Sequence, residues 1–416
     1  MNKSFHFILL LSVCAVLSTG LDAVAEDWPQ WQGPDRTNLS KETGLLQDWP
    51  ADGPKQSWIF NDAGLGYSGI AVVGDTLYTM GARDDAEYLI AVNVNDGSQK
   101  WSVQIGTLLT NNWGDGPRST PTVDGDLVFA LGGNGTLTCV SAVDGSPKWK
   151  SEAKELGGNR PGWGYCESVL LDGDRVVWTP GGKNGAVVAA LKLTGETVWQ
   201  SKAFTDGAQY SSITIAELNG KKQYIQIVMN KLVGLDAADG SLLWESEWPG
   251  RTAVIPTPIF HDGQVFITSG YGAGCKLVKP AADGSAADVY VNKNMKNHHG
   301  GVLLYKDHIY GYSDGLGWTC LNFATGEIVW NEKQGLGKGC LTYADNRLYL
   351  VEERTGDIAL IEASSEGFKE HGKFTLSPQT ERRKPSGKIW THPTVANGKL
   401  FLRDQELLHC YDIKSP

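Results

Sequence analysis

Residues 91–101 read Ala91-Val92-Asn93-Val94-Asn95-Asp96-Gly97-Ser98-Gln99-Lys100-Trp101. An apolar segment runs into an Asp-Gly turn, and a new extended segment follows with a Trp four residues past the Gly. The same spacing of Gly, three residues and Trp returns at Gly145/Trp149, Gly195/Trp199, Gly240/Trp244 and Gly326/Trp330. The steps 97 to 145 to 195 to 240 are 48, 50 and 45 residues, and 240 to 326 is 86, two steps of 43. The absent copy falls at Asp283-Gly284 with Tyr290 as a divergent aromatic, and a weaker one follows at Ser365-Glu366-Gly367-Phe368.

Between these anchors lies a second repeated feature, an apolar strand, a tight turn and another apolar strand. Residues 70–81 (IAVVGDTLYTMG), 121–132 (PTVDGDLVFALG) and 393–404 (PTVANGKLFLRD) show it. Gly-Asp, Asp-Gly and Asn-Gly turns between β-formers are hairpin signals. Each unit is then a hairpin, a third strand, a turn and a fourth strand carrying the Trp, and four strands in about 45 residues make a propeller blade. Eight units fit between Tyr67 and Ile413, and the last stops after three strands. Pro54–Phe60, which carries Trp58, is available to complete it. The expected fold is all-β: a single eight-bladed β-propeller of four-stranded antiparallel blades, closed by pairing of N- and C-terminal strands. The expected division is a signal peptide at 1–25, a leader segment at 26–54 and the propeller at 55–416. Trp58, Trp101, Trp149, Trp199, Trp244 and Trp330 are expected to dock each blade on its neighbour, each burying roughly 150–250 Å².

The N-terminus carries Lys3, an apolar stretch from Phe5 to Leu17 and the small-residue site Ala23-Val24-Ala25. That is the pattern of a cleaved secretory signal, giving a mature start near Glu26 and a periplasmic or secreted protein. Cys14 lies inside the apolar run behind the bulky Val13, which favours a soluble product over a lipoprotein. No other stretch is long and apolar enough to span a membrane. Net charge is −10, and the basic residues reach no further than the cluster Arg382, Arg383 and Lys384. A phosphate-tracking surface needs a basic stripe, so nucleic acid is excluded as a partner. A monomer is expected. Of the six cysteines beyond the signal, Cys139, Cys320 and Cys410 recur at similar positions in different blades, as do Cys166 and Cys340. Positions related by rotation about a ring lie beyond disulfide reach, so these read as small buried apolar residues.

In a propeller the first strand of each blade lines the central channel, and the loops entering those strands build the site. Tyr67, Arg118, Tyr165, Glu167, Tyr210, Ile255-Pro256, His298, His299, Lys338 and His392 occupy these entries, with Trp113, Trp163 and Trp390 just upstream. Convergent polar and aromatic groups in a concavity are the default ligand site. The ligand-binding set expected at the central mouth is Tyr67, Arg118, Trp163, Tyr165, Glu167, Tyr210, His298, His299, Trp390, His392 and Arg403. Catalytic and metal-ligating residues are left unassigned. Adjacent residues on a strand face opposite ways, so one of His298 and His299 is expected to point inward, where with Glu167 it is a candidate divalent-ion ligand. Gly64-Leu65-Gly66-Tyr67-Ser68-Gly69 fits a dinucleotide fingerprint by letter only, since a strand and not a helix follows.

The repeat resembles the tryptophan-docking motif of pyrroloquinoline-quinone-type (PQQ-like) propellers, A-x-D-x-x-T-G-x-x-x-W, over nearly the whole mature chain. Residues 91–101 are a near copy with Asn93 for Asp, and residues 234–244 are another. The resemblance implies the fold. It also implies membership of a group that includes quinoprotein dehydrogenases, outer-membrane-assembly scaffolds of the BamB type and exported proteins that open as this one does, with Asp27-Trp28-Pro29-Gln30-Trp31-Gln32-Gly33-Pro34. The leading expectation is a noncatalytic binding or scaffold module whose partner is a small molecule, a glycan or an envelope protein. The alternative is a quinoprotein dehydrogenase using PQQ with calcium, for which Glu167, Asp115, Asp314, Arg354, Arg403 and Trp163 or Trp390 are of suitable type. Such alcohol dehydrogenases carry an adjacent Cys pair at the cofactor, and no two Cys are adjacent here. A haem-attachment C-x-x-C-H is also missing. Glycan recognition or cleavage at the same mouth is a further alternative.

Overall fold

The computed structural model describes residues 26–416; the expected signal peptide at 1–25 lies outside the described residues. Eight antiparallel four-stranded blades succeed one another along the chain and form one ring, and Leu39–Ser40 of the leader adds a parallel fifth strand to the seventh. Blades 1 to 6 take residues 71–107, 122–152, 170–200, 214–247, 259–292 and 302–332, and blade 7 takes 339–375. Blade 8 combines Thr394–Ala396, Lys399–Asp404 and Leu407–Asp412 with Lys55–Phe60, the last pairing Lys55 opposite Asp412 and Phe60 opposite Leu408. N- and C-terminal strands thus close the ring within one sheet, which protects edges that would otherwise stay open. The hairpins use the predicted turn chemistry. Asp345 and Asn346, for example, both adopt positive φ (46° and 63°), as a two-residue hairpin loop demands.

The core is shared out around the ring. Eight apolar clusters lie at the eight seams, each drawing on two neighbouring blades. The anchor aromatics explain the repeat. Trp58, Trp101, Trp149 and Trp199 donate their indole N–H to the carbonyls of Val94, Ala142, Lys192 and Ala237 in the following blade. The faces of these rings lie under Gly97, Gly145, Gly195 and Gly240, where any Cβ would come within 3 Å of the indole. The Gly and the Trp of the motif are therefore partners across a seam. Tyr290 does the same for blade 5, with its hydroxyl on Phe323 O (2.9 Å) and its ring under Gly326. Trp330 reaches Ser364 O at 2.9 Å.

Two seams depart from the expectation. Trp244 is buried at the blade 4–5 seam, but its N–H bonds Gln223 Oε1 of its own blade (2.7 Å). Gly234 opposite it leaves a hole in the same sheet, and the indole tucks into that hole instead of reaching across. In blade 7 the weak copy at Phe368 only packs edge-on against Trp330. The anchor position there is Gly372, and Trp49 of the leader segment fills it, against Tyr349 and Phe374. Among the described residues no cysteine is paired, and all but Cys166 are buried.

Candidate functional site

The chain enters each innermost strand from one face of the ring and leaves it through a hairpin on the other. The leader segment comes in from the hairpin face. Asp27 accepts from Gly74 N in the first hairpin, and Trp28 and Val72 exchange backbone bonds of 2.7 and 2.8 Å. Pro29 O accepts from Val123 N, and Arg36 donates to the carbonyls of Ser168 and Val169. Asn38 donates to Leu341 O, and Leu39–Ser40 pairs in parallel with Tyr343 and Ala344. The leader therefore bonds innermost strands of blades 1, 2, 3 and 7 and fills the channel from that side. Trp31, held by a bond from its indole N–H to Thr257 Oγ1 (3.0 Å), is the leader's contribution to the cavity that remains on the entry-loop face.

That cavity has a volume of about 450 Å³. Eight of the eleven expected residues line it: Tyr67, Arg118, Trp163, Tyr210, His298, His299, Trp390 and His392. Aromatic contacts tie the wall together. Tyr67 and Trp113 lie 5.0 and 6.3 Å from Trp390, His299 lies 4.6 Å from Trp390, and Trp163 lies 5.6 Å from Tyr210. The Tyr67 hydroxyl reaches Trp113 O because Gly114, at φ 137°, leaves room that a Cβ would fill. His298 and His299 stack at 3.7 Å and both face the cavity. The expectation that only one could do so assumed a strand, whereas the pair sits in the loop before Val302.

The other three expected residues lie elsewhere. Tyr165 is buried at the blade 2–3 seam, donating to Pro180 O. Glu167 is buried and accepts from both the N–H and the hydroxyl of Thr179, and burial raises its carboxyl to about 8. Side chains alternate along an extended chain. Tyr165 and Glu167 consequently point into the blades, and Cys166 and Ser168 between them line the cavity. Glu167 cannot join the histidine pair as a metal ligand. Arg403 sits in the second strand of blade 8, one layer out from the channel, and donates to Ser68, Met80, Ala63, Gly64 and Gln405 carbonyls and to Thr79. It joins blade 8 to blade 1. Reading the entry loops missed Trp31, Tyr271 and Cys166, although Trp28 and Trp31 in a leader without strand pattern were a signal.

The electrostatics follow from burial. Lys338 Nζ donates to Asp314 Oδ1 (2.7 Å) and to His298 Nδ1 (2.9 Å). An ammonium only donates, so His298 is neutral with its proton on Nε2. Burial, with His299 and Lys338 adding to it, pushes the His298 imidazole down to about 2. His392 Nε2 donates to His299 O (3.0 Å), and burial pushes that imidazole to about 4. Burial also lowers His299, against the pull of Glu353, which lies 3.8 Å away. Burial alone would raise Glu353, but His299, the Trp390 N–H and Lys338 hold it below its ordinary value. The guanidinium of Arg118 lies 5.1 Å over the Tyr67 ring and donates to Gly114 O; among the described residues no carboxylate lies within ion-pair distance of it, and Glu87 feels its charge only from further off. Arg118 Nε, His298 Nε2, His299 Nδ1 and His392 Nδ1 are buried without a hydrogen-bond partner. Each such group costs on the order of 1–3 kcal/mol, which a ligand with matching polar atoms would recover.

This donor set does not suit calcium-bound PQQ. Calcium takes six to eight oxygen ligands. Among the carboxylates near the cavity, Asp314 is bonded by Lys338, Glu353 by Trp390 and Asp115 by Lys384. Among the described residues no group of three or more His, Cys, Asp or Glu is placed to hold a metal.

A family model described as outer membrane protein assembly factor BamB matches residues 85–332, more than half of the chain. Among solved structures, BamB from Moraxella catarrhalis is similar at 14% identity and a TM-score of 0.60, over 86% of this chain and all of that one. A quinohemoprotein alcohol dehydrogenase from Comamonas testosteroni is similar at 10% identity and a TM-score of 0.65, over 95% of this chain and 82% of that one. At such identities the likeness is one of fold. No curated protein matches significantly.

Proposed function

The chain belongs to the PQQ-repeat propeller family whose model is described as outer membrane protein assembly factor BamB, and on that premise we propose that it is an exported, noncatalytic binding module. Its working part is the cavity on the entry-loop face, and its ligand is a flat or ring-bearing molecule with a carboxylate or phosphate group. The observation that carries this reading is Arg118: a cation with no carboxylate within ion-pair distance, in a wall of Trp, Tyr and His. Aromatic faces receive a ring, and a guanidinium in low-dielectric surroundings receives an anion. Holding a ligand needs no more than this. The His298 and His392 imidazoles are neutral, and Asp314 and Glu353 are already bonded. The Ala23-Val24-Ala25 motif behind an apolar stretch supports the export reading, with the mature protein in the periplasm or outside the cell. Among the described residues no helix is long and apolar enough to cross a membrane.

The test is a calorimetric titration of the protein from Glu26 onward with PQQ, a flat tricarboxylate, with calcium and with a chelator. The reading expects binding that is the same in both and weakened about tenfold or more by Arg118→Ala, the loss of one charge-assisted contact. Binding that requires calcium, together with dye reduction by an alcohol, would replace it with the quinoprotein reading.

A further inference from the structure

The leader segment is fastened at its first described residue. Glu26 N donates to Glu42 Oε1 at 3.1 Å, and the Glu26 carboxylate accepts from Lys41 N at 2.7 Å. Glu42 is only 1% exposed, and its other oxygen accepts from Gly398 N (2.8 Å) in the blade 8 hairpin. The nearby ammonium, Lys41, pairs with Asp35 and Glu26 instead. Among the described residues no cation pairs with Glu42, an unusual state for a buried carboxylate. Backbone N–H groups of Gly398, Asn397 and Glu26 bond this carboxylate, and the Glu26 nitrogen, 3.1 Å from Oε1, belongs to the residue that follows the Ala23-Val24-Ala25 motif.

We propose that Glu42 is the acceptor site for the new N-terminus, so that removal of the signal peptide creates the cation that locks the leader into the ring. This rests on the export reading. Hydrolysis of the Ala25–Glu26 bond by a peptidase of the export machinery consumes one water. The signal departs with the Ala25 carboxylate, and Glu26 gains an amine that takes up a proton at neutral pH. That ammonium stands where the amide N–H stood, beside a buried carboxylate that burial alone would drive toward its neutral form. Before cleavage the same nitrogen is an uncharged amide and the pair does not exist. Locking Glu26 fixes the start of the segment that carries Trp31 into the cavity, so processing strengthens the hold on a leader already seated there.

The exported protein is first sequenced from its N-terminus, and the α-amine is then titrated by NMR after ¹³C reductive methylation. The expected start is Glu26. The expected α-amine pKa lies about one unit or more above the ordinary value near 8 and returns to it in Glu42→Gln. The same protein with one added Ala before Glu26 is expected to show an ordinary α-amine whether residue 42 is Glu or Gln. A start at another residue would overturn both the cleavage and the pair. A start at Glu26 with an unshifted α-amine would overturn the pair and leave the export reading standing.

Discussion

Trp49 lies against Gly372: a Cβ on that glycine would fall 2.5 Å from Trp49 Cβ, and the Trp49 N–H bonds the carbonyl of the preceding residue, His371, at 2.8 Å. The segment before the ring thus supplies the aromatic anchor that blade 7 itself lacks. It follows that Trp49→Ala empties a seam and is expected to destabilise the protein by about 3–5 kcal/mol, as other large-to-small core changes do. Trp199→Ala, at a seam anchored from within the repeat, is expected to cost about the same. Urea unfolding of both variants checks this; a loss under about 1 kcal/mol for Trp49→Ala would mean that the leader only rests on the ring.

Structural and site residues separate by their partners. Arg403 donates six hydrogen bonds while 1% exposed. Arg403→Met leaves the Ala63, Gly64 and Met80 carbonyls short of a donor and is expected to cost more than about 3 kcal/mol. His299→Ala, at the cavity wall, is expected to stay within about 1 kcal/mol of the parent. Equal losses in the two variants would make the polar ring of the cavity structural.

The repeat made the blades, their number and the closing strand legible, because the Gly-Trp spacing is imposed by a contact at each seam. It could not reveal Trp49 or Trp31, which act from a segment with no period of its own. The site was legible only in part. Reading the entry loops led to Tyr67, Arg118, Trp163, Tyr210, His298, His299, Trp390 and His392, which the fold gathers in the wall of one cavity. Tyr165 and Glu167 went astray because strand alternation decides which neighbour faces the channel, and that phase is invisible without the backbone.

Glu167 predicts a pH dependence. Its carboxyl is raised from 4.5 to about 8 by burial, against the opposing pull of the Thr179 bonds and the Arg36 guanidinium. A raised carboxyl stabilises the folded state below its unfolded value and loses that contribution as pH climbs to the folded one. Between about pH 4.5 and 8 this residue alone therefore makes stability fall as pH rises. Glu167→Gln, which keeps an acceptor for the Thr179 N–H, can donate to the Thr179 hydroxyl and never ionises, is expected to match the parent at pH 5 and exceed it at pH 9. Chemical denaturation at the two pH values checks the sign, and a variant weaker than the parent at pH 9 would show that Glu167 is held ionised.

The most direct measurement of the central claim is a crystal structure of the mature protein soaked with naphthalene-2-carboxylate, a flat ring bearing one anion. The account predicts the ring against Trp390 and Tyr67, with the carboxylate within hydrogen-bond distance of Arg118. A cavity that stays empty while the compound binds elsewhere on the ring would contradict it.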